Sequence, residues 1–279
     1  MSHIIPHKIV PGMRVLRQRQ LVRKRMGLTG GRKIIRRRTT FPVMHYAREE
    51  EGGPEDVEKS GPPLSTAMLE WPASYFPRAF AISIRDERWR GMQARLGPWK
   101  DRVEHWRGTN GRLLRKRNWE MNGKCVNRCM LMRGQLGCHD SHTRLWEYMI
   151  EQNIPQALIM EDDANFRYHE RTLEVVKQAF TEIEERNLEW DLLYLGKGTN
   201  EHRRQVAPHL VIPKTHQGLF CYVLTLRGAR RLVRASHPYR IPVDVLAGNI
   251  ADSNQIRALA LAPKLCYVVH VRSDTGTIV

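Results

Sequence analysis

The chain has 279 residues, 41% of them hydrophobic, and a formal net charge of +17. This length supports one large α/β domain or two small ones, and it excludes a peptide-sized binding module. No stretch reaches the roughly eighteen apolar residues that a membrane span needs, and the N-terminus lacks the apolar segment of a secretory signal. We therefore expect a soluble, cytoplasmic protein without a transmembrane segment.

The positive charge is concentrated in an N-terminal arm. Twelve lysines and arginines fall within the first forty residues, where neither Asp nor Glu occurs. We predict a flexible basic arm over residues 1–48 and an acidic, Gly- and Pro-rich linker over residues 49–76. An anionic membrane surface or nucleic acid could bind the arm. A disordered tail or a targeting segment is the alternative, because the arm lacks the interleaved aromatic residues of single-strand binders.

The folded domain is predicted over residues 77–279, where strands alternate with helices. Residues 79–84 read as a buried strand, and Met92 and Leu96 follow it at helical spacing. A second helix is predicted to begin at Asp140 or Ser141 as N-cap. Further strands are predicted at 157–160, 190–196, 219–226 and 265–271, with helices at 173–183 and 228–235. This alternation predicts an α/β fold with a mostly parallel central sheet, whose ligands bind beyond the carboxyl ends of the strands.

Residues 197–218 show no regular pattern and are rich in His, Arg and Lys. We predict an irregular loop that acts as an active-site lid or as an acceptor-binding loop.

Three consecutive carboxylates, Glu161, Asp162 and Asp163, follow the apolar run at 157–160. Acids at the carboxyl end of a buried strand repel one another unless a cation or basic residues offset them. Hard oxygen ligands favour Mg²⁺ or Mn²⁺, so the tripeptide predicts a divalent metal site. An exposed acidic turn is the alternative.

Cysteines and histidines suggest a second kind of metal site. Cys125, Cys129, Cys138, His139 and His142 are residue types that bind zinc, but no second close cysteine pair follows the first. We therefore disfavour zinc and expect reduced thiols, since five cysteines in a long chain do not suggest a disulfide framework. For His142 we expect a hydrogen-bonded structural role.

The order of seven short motifs resembles glycosyltransferase family 25, which includes lipopolysaccharide-type transferases and procollagen galactosyltransferases. The motifs lie at 79–92, 137–142 (Gly-Cys-His-Asp-Ser-His), 158–164 (Leu-Ile-Met-Glu-Asp-Asp-Ala), 190–196 (Trp-Asp-Leu-Leu-Tyr-Leu-Gly), 221–229, 242–244 (Pro-Val-Asp) and 272–274 (Arg-Ser-Asp). The resemblance covers about residues 77 to 279.

The resemblance implies a nucleotide-sugar-binding fold of the glycosyltransferase A type. It further implies a UDP-sugar donor such as UDP-galactose, transfer with inversion, and a glycan, lipid-linked glycan or protein as acceptor. A bound Mn²⁺ or Mg²⁺ would stabilise the charge that develops on the departing diphosphate. We expect Asp163 as a direct metal ligand and Asp162 as the second, with Glu161 contributing to the metal or the ribose.

Other residues of the matching motifs are candidates for donor binding and proton transfer. An inverting transfer needs a general base, and Asp244 is our candidate, with a turn-forming Asp as the alternative. Arg85 and Arg88 could contact the donor phosphates, or form surface salt bridges. Ser141 could present a helix N-terminus to the diphosphate, or merely cap the helix. Asp191 could bind the base or ribose, or cap its strand.

Two functions of other classes stay open at this point. A nucleic-acid-binding protein would act through the basic arm. A catalytically inactive family member would keep the fold and serve a structural or interaction role.

Overall fold

The computed structural model describes residues 71–166, 169–214 and 218–269, without the side chains of residues 169 and 170. The predicted basic arm, most of the predicted linker and the closing motif at 272–274 lie outside these residues. Within the predicted linker, Trp71 Nε1 donates a hydrogen bond to the main-chain oxygen of Phe76 at 3.0 Å. Phe76 is buried in the core, so the described body includes residues just before the predicted start at 77.

The described residues form ten strands, six α-helices and two short 3-10 helices. The strands are β1 (Ala79–Ser83), β2 (Glu104–Arg107), β3 (Gln156–Glu161), β4 (Ala164–Phe166), β5 (Leu192–Gly196), β6 (His202–Ala207), β7 (Leu210–Pro213), β8 (Cys221–Thr225), β9 (Ala258–Leu261) and β10 (Cys266–Val268). The helices are α1 (Asp86–Leu96), α2 (Lys116–Met121), α3 (Arg133–Glu151), α4 (His169–Glu185), α5 (Leu226–Ser236) and α6 (Val243–Asp252), and the 3-10 helices are Gly97–Arg102 and Gly111–Leu113. None of the described helices is long and apolar enough to cross a lipid bilayer.

Eight strands form one central sheet in the order β2-β1-β3-β8-β5-β9-β7-β6. Six of the eight run in the same direction, and only β8 and β7 are reversed among these described strands. The predicted α/β class with a mostly parallel sheet is confirmed. The remaining strands, β4 and β10, pair antiparallel as a small second sheet.

The central sheet separates two hydrophobic cores. In β3, Leu158 and Met160 face the layer that contains α1 and α4, whereas Ala157 and Ile159 face the layer that contains α3, α5 and α6. Successive side chains of a strand point to opposite faces, so a strand covered on both sides is apolar throughout. This is why β3 is recognisable in the sequence as a continuous apolar run.

The start of α3 differs from the prediction. α3 begins at Arg133, about two turns before the predicted caps Asp140 and Ser141. These polar residues are buried inside the helix, where they have tertiary partners: Ser141 Oγ accepts from Thr109 N at 2.8 Å, and Asp140 Oδ1 accepts from Tyr239 Oη at 3.0 Å. Their hydrogen bonding explains why cap-type residues occur in a helix interior.

The segment at 197–218 also differs from the prediction. Most of its described residues form the β6–β7 hairpin, which joins the sheet because β7 pairs with β9. The prediction of irregular structure is therefore wrong, while residues 215–217 lie outside the description. β6 has four consecutive exposed residues, His-Arg-Arg-Gln, and lacks the apolar alternation by which a half-buried strand is recognised.

Asp191 fixes the amino-terminal end of β5. The side chain is completely buried, and its carboxylate accepts hydrogen bonds from Arg227 Nε at 2.6 Å, Arg231 Nη1 at 2.7 Å and Arg257 N at 2.8 Å. One carboxylate thereby connects β5, α5 and the entry to β9. β5 and β3 run in the same direction. Asp191 precedes β5 and Glu161 ends β3, so the two residues lie at opposite ends of the strands.

We expect Asp191→Asn to lower the free energy of unfolding by about 2 kcal/mol, because the charge-assisted hydrogen bonds from Arg227 and Arg231 are weakened. Asp252→Asn, which disrupts an exposed ion pair with Arg203, serves as the matched control and should cost about 0.5 kcal/mol or less. Urea denaturation measures both values. Equal losses in the two variants would contradict the role given to Asp191.

Candidate functional site

The acidic tripeptide lies at the carboxyl end of a central strand. Glu161 is the last residue of β3, and Asp162 and Asp163 form the turn that leads into β4. β3 is flanked by β1 and β8, so both neighbours can contribute side chains to this end of the sheet. The position agrees with the place where open α/β sheets bind ligands.

Asp162 is held by protein groups on the α1 side of the sheet. Its Oδ2 accepts from Ser83 Oγ at 2.6 Å, and its Oδ1 forms a salt bridge with Arg88. Arg95 Nη2 donates to the main-chain oxygen of Asp162 at 2.5 Å. Both carboxylate oxygens therefore already have partners, which fixes the conformation of the turn.

Asp163 is different, because one of its oxygens lacks a hydrogen bond. Oδ1 is buried and has no hydrogen-bond partner among the residues that the structure describes, while Oδ2 lies 3.6 Å from Arg88 Nη2. A buried carboxylate oxygen without a hydrogen bond is costly unless a cation coordinates it. The donor set therefore fits a hard divalent ion such as Mn²⁺ or Mg²⁺.

Burial makes the ionised form of the whole turn unfavourable. Burial, followed by the negative charges of Asp162 and Asp244, raises the pKa of Glu161 to about 8. Burial and the charges of Glu161 and Asp162 raise the pKa of Asp163 to about 7. The pKa of Asp162 is also raised by burial, against the opposing effects of Ser83 and Arg88.

A buried hydrogen-bond chain reaches Glu161 from α3. Trp146 Nε1 donates to Tyr222 Oη at 2.9 Å, and Tyr222 Oη lies 2.8 Å from His142 Nδ1. His142 Nε2 lies 3.1 Å from Glu161 Oε1. Indole nitrogen is a donor only, so Tyr222 Oη accepts from Trp146 and its own hydrogen is available for His142 Nδ1. When Glu161 is ionised it accepts from His142 Nε2–H, and Tyr222 then donates to Nδ1.

This chain assigns His142 a structural role. Burial lowers the pKa of His142 to about 3, which keeps the ring neutral at physiological pH. The expectation of a hydrogen-bonded structural histidine is confirmed. The sequence did not indicate Tyr222, because its side chain and that of His142 are 80 residues apart in the chain.

The same residues bear on the zinc hypothesis. Among the described residues, Cys138, His142 and Glu161 place one candidate ligand atom each within 4.8 Å of one another. Zinc would require the Nε2 lone pair of His142, yet this nitrogen is already engaged in the hydrogen bond with Glu161. Burial, followed by the charge of Glu161, raises the pKa of the Cys138 thiol well above its ordinary value, which disfavours the thiolate that binds zinc.

Asp244 joins this group from α6. It lies in the first turn of that helix, where Oδ1 accepts from Val245 N at 2.8 Å and Oδ2 accepts from Gly218 N at 3.2 Å. Its charge contributes to the raised pKa values of Glu161 and Cys138, so its carboxylate lies within electrostatic range of the acidic turn.

The other predicted donor-binding residues are placed in three different ways. Arg88 lies against the acidic turn. Arg85 is the N-cap of α1, and its Nη1 lies 3.7 Å from Glu87 Oε1. Ser141 is buried within α3 and its Oγ donates to Gly137 O at 2.6 Å, so the premise of a helix N-terminus at Ser141 is wrong. Asp191 is not brought together with the other candidates, because it lies at the amino-terminal end of β5 and the acidic turn lies at the carboxyl end of β3.

Two residues of the site were missed in the sequence. Ser83 contacts Asp162 from the carboxyl end of β1, a contact between side chains 79 residues apart that no local pattern reveals. Arg95 follows Arg88 by seven residues, which is two turns of α1 on one face. Two arginines at this spacing on one face of α1 could have indicated that this face contacts an acidic partner.

We predict that ¹⁵N NMR of histidine-labelled protein shows the imidazole of His142 as neutral throughout pH 5 to 8. The reason is that burial lowers its pKa to about 3. In Tyr222→Phe the donor to Nδ1 is absent, and we expect a changed tautomer population at His142. The exposed His202 is the internal control and should keep the same spectrum in both proteins.

The raised pKa values also predict how stability depends on pH. Between about pH 4 and pH 8 the folded protein retains protons on Glu161 and Asp163 that the unfolded chain releases, so their contribution to stability falls as pH rises. In metal-free buffer the melting temperature of the wild type should therefore fall more steeply over this window than that of Glu161→Gln. The exposed Glu151→Gln control should keep the wild-type slope, and identical slopes in all three proteins would contradict the prediction.

Comparison with known proteins shows which family this part of the chain is similar to. The family model described as "Glycosyltransferase family 25 (LPS biosynthesis protein)" matches residues 116–247. The chain is 29% identical over 170 residues to procollagen galactosyltransferase 1 of Danio rerio, and 38% identical over 163 residues to the probable inactive glycosyltransferase 25 family member 3 of Bos taurus. These alignments cover 53% and 52% of this chain but 27% of each relative.

The chain thus spans about a quarter of the length of these curated relatives. The matched residues nevertheless include the acidic turn, His142 and Asp244. The resemblance predicted from motif order is confirmed, because residues 116–247 match the glycosyltransferase family 25 model and the curated relatives belong to that family.

Proposed function

We propose that the chain is a metal-dependent, inverting glycosyltransferase that moves a hexose, in the first instance galactose, from a UDP-sugar to a hydroxyl group. The acceptor class is a glycan, a lipid-linked glycan or a protein. One observation carries the proposal: within the residues that match the family 25 model, Asp163 presents a buried oxygen with no hydrogen-bond partner among the described residues, at the carboxyl end of β3. The relatives named procollagen galactosyltransferase support the choice of galactose.

Asp163 is the proposed principal ligand of Mn²⁺ or Mg²⁺, and such an ion would supply positive charge beside the leaving diphosphate. Asp162 is the weaker of the two predicted ligands, because Ser83 and Arg88 already occupy its oxygens. Glu161 completes the acidic group and has one oxygen fixed by His142. Three acids with raised pKa values favour a doubly charged partner over a single arginine.

Donor binding is proposed for the arginines at the start of α1. Arg88 contacts Asp162 and Asp163, and its side chain is 13% exposed, so its guanidinium lies beside the place where the diphosphate would meet the acidic turn. Arginine forms planar, charge-assisted hydrogen bonds with phosphate oxygens. Arg85, at the N-cap of α1, is the second proposed contact.

Asp244 is the proposed general base. Its two oxygens accept hydrogen bonds from Val245 N and Gly218 N, which fix the carboxylate in the site. As the acceptor oxygen bonds to the anomeric carbon, the bond to the diphosphate breaks and its electron pair leaves with the diphosphate. The hydroxyl proton passes to Asp244, whose origin in α6 lets it approach from a different element than the acidic turn.

Two substitutions separate metal binding from proton transfer. We expect Asp163→Asn to abolish Mn²⁺ binding in calorimetry together with sugar transfer, because it removes the charge of the proposed principal ligand. Asp244→Asn should bind Mn²⁺ as the wild type does but lose on the order of 10²–10⁴-fold in kcat. The exposed Asp101→Asn is the matched control and should retain both properties. Wild-type turnover that is unaffected by Asp163→Asn would refute the metal-dependent mechanism.

A catalytically inactive role is the second candidate. It is favoured by the 38% identity to the probable inactive relative of Bos taurus, which exceeds the 29% identity to procollagen galactosyltransferase 1. A panel of UDP-sugars with Mn²⁺ decides between the two. Hydrolysis or transfer of any one of them supports the enzyme, whereas intact binding of Mn²⁺ without turnover of any donor supports the inactive role.

A further inference from the structure

Exposed apolar side chains are concentrated in one part of the molecule. Four of the six large hydrophobic side chains that are exposed in the described structure lie between residues 111 and 133, which we call the basic segment. They are Leu113 at 80% exposure, Met121 at 75%, Met130 at 81% and Met132 at 44%. Apolar side chains that cluster on a surface mark interaction sites more often than scattered ones do.

The basic segment also carries a strong positive charge. Its 23 residues include seven lysines and arginines and a single acid, Glu120. Glu120 is engaged within the segment, where its Oε1 accepts from Cys129 N at 3.0 Å. The exposed charges are arginines at 112, 115, 117, 128 and 133. The surface of the segment therefore combines arginine with leucine and methionine.

The segment is an ordered structure with its own small core. Cys125, Cys129, Leu131, Leu136 and Tyr239 are buried together in this core. The buried Cys129 and Leu131 alternate with the exposed methionines at 130 and 132, as side chains do in an extended chain. Packing of the alternate residues therefore directs these methionines to the outside.

One further contact attaches the segment to α3, and another lies within the segment. Lys124 Nζ lies 2.6 Å from Asp140 Oδ1, and Lys116 Nζ donates to the main-chain oxygen of Leu131 at 2.9 Å, just before the helix begins. These contacts use lysines, whereas the exposed charges are arginines. The exposed surface is thus separate from the groups that hold the segment in place.

Charge and side-chain type limit what can cover this surface. The predicted basic arm and a second copy of the segment carry the same sign of charge and would be repelled. Single-stranded nucleic acid would be held by stacking of its bases on exposed aromatic rings. Trp119, the one aromatic residue of the segment, packs against Tyr239 with ring centroids 6.0 Å apart and lies beneath Lys124 Nζ. An anionic lipid surface attracts arginine and accepts leucine and methionine.

We propose that the basic segment docks on an anionic lipid bilayer surface, with its arginines at the headgroups and Leu113, Met121 and Met130 in the interface. α3 begins at Arg133 and carries Cys138 and His142, so docking would hold the candidate site beside the lipid surface. Among the proposed acceptor classes, a lipid-linked glycan fits this arrangement. The docking surface goes beyond the proposed transfer reaction and does not depend on it, because lipid binding is measured without turnover.

The full chain is tested by sedimentation with vesicles of phosphatidylcholine alone or with phosphatidylserine added. The variant Arg115→Gln/Arg117→Gln/Arg133→Gln should partition to the anionic vesicles roughly 100-fold less than the wild type, since each arginine near such a surface contributes about fivefold. The control Arg90→Gln/Arg230→Gln/Arg234→Gln removes the same charge from exposed positions of α1 and α5. Equal losses in the two triple variants would overturn the proposal, because they would assign binding to net charge or to the arm.

A second pair of substitutions tests the apolar part. Leu113→Ser/Met130→Ser keeps all charges, and we expect at least about tenfold weaker partitioning to anionic vesicles. Unchanged melting temperatures exclude unfolding as the cause, since both side chains are exposed in the folded protein. Wild-type partitioning by this variant overturns interfacial docking. Retention on RNA that the arginine variant loses, without any loss on vesicles, overturns it in favour of nucleic acid.

Discussion

The burial of like-charged carboxylates at the end of β3 is the constraint around which this end of the molecule is organised. Strand alternation directs Glu161 toward the α3 layer, and the turn that follows places Asp162 toward the α1 layer. Each layer contributes one partner: Arg88 of α1 contacts Asp162, and His142 of α3 contacts Glu161. Helices on both faces of the sheet are thereby brought to one site. Asp163 follows in the turn, outside this alternation, with an oxygen that no described residue satisfies.

The two partners differ in what they do to the electrostatics of the site. Arg88 brings a full positive charge, which offsets part of the repulsion between Asp162 and Asp163. His142 is neutral, so it fixes the position of Glu161 without lowering the negative charge of the group. A cation that displaces the protons of Glu161 and Asp163 would therefore meet ionised carboxylates whose geometry is already held by hydrogen bonds.

Much of the fold and part of the site could be predicted from the sequence. β1, β3 and β5 are short, fully covered apolar runs, and the acidic turn is recognisable because its three residues are adjacent. The start of α3 could not be predicted, because Asp140 and Ser141 look like caps when their tertiary partners are invisible. Tyr222 was missed for the same reason. Local patterns reveal burial and charge, whereas they do not reveal which distant group satisfies a buried polar atom.

Two glycines set how closely the chain at the start of the basic segment approaches α3. A side-chain carbon at Gly111 would collide with the main-chain oxygen of Arg133, and one at Gly137 would collide with Thr109 and with Gly111 itself. Backbone lies directly on backbone here, with no flexible side chain between them to absorb movement. Any larger residue at either position would therefore push this chain away from α3, the helix that carries His142.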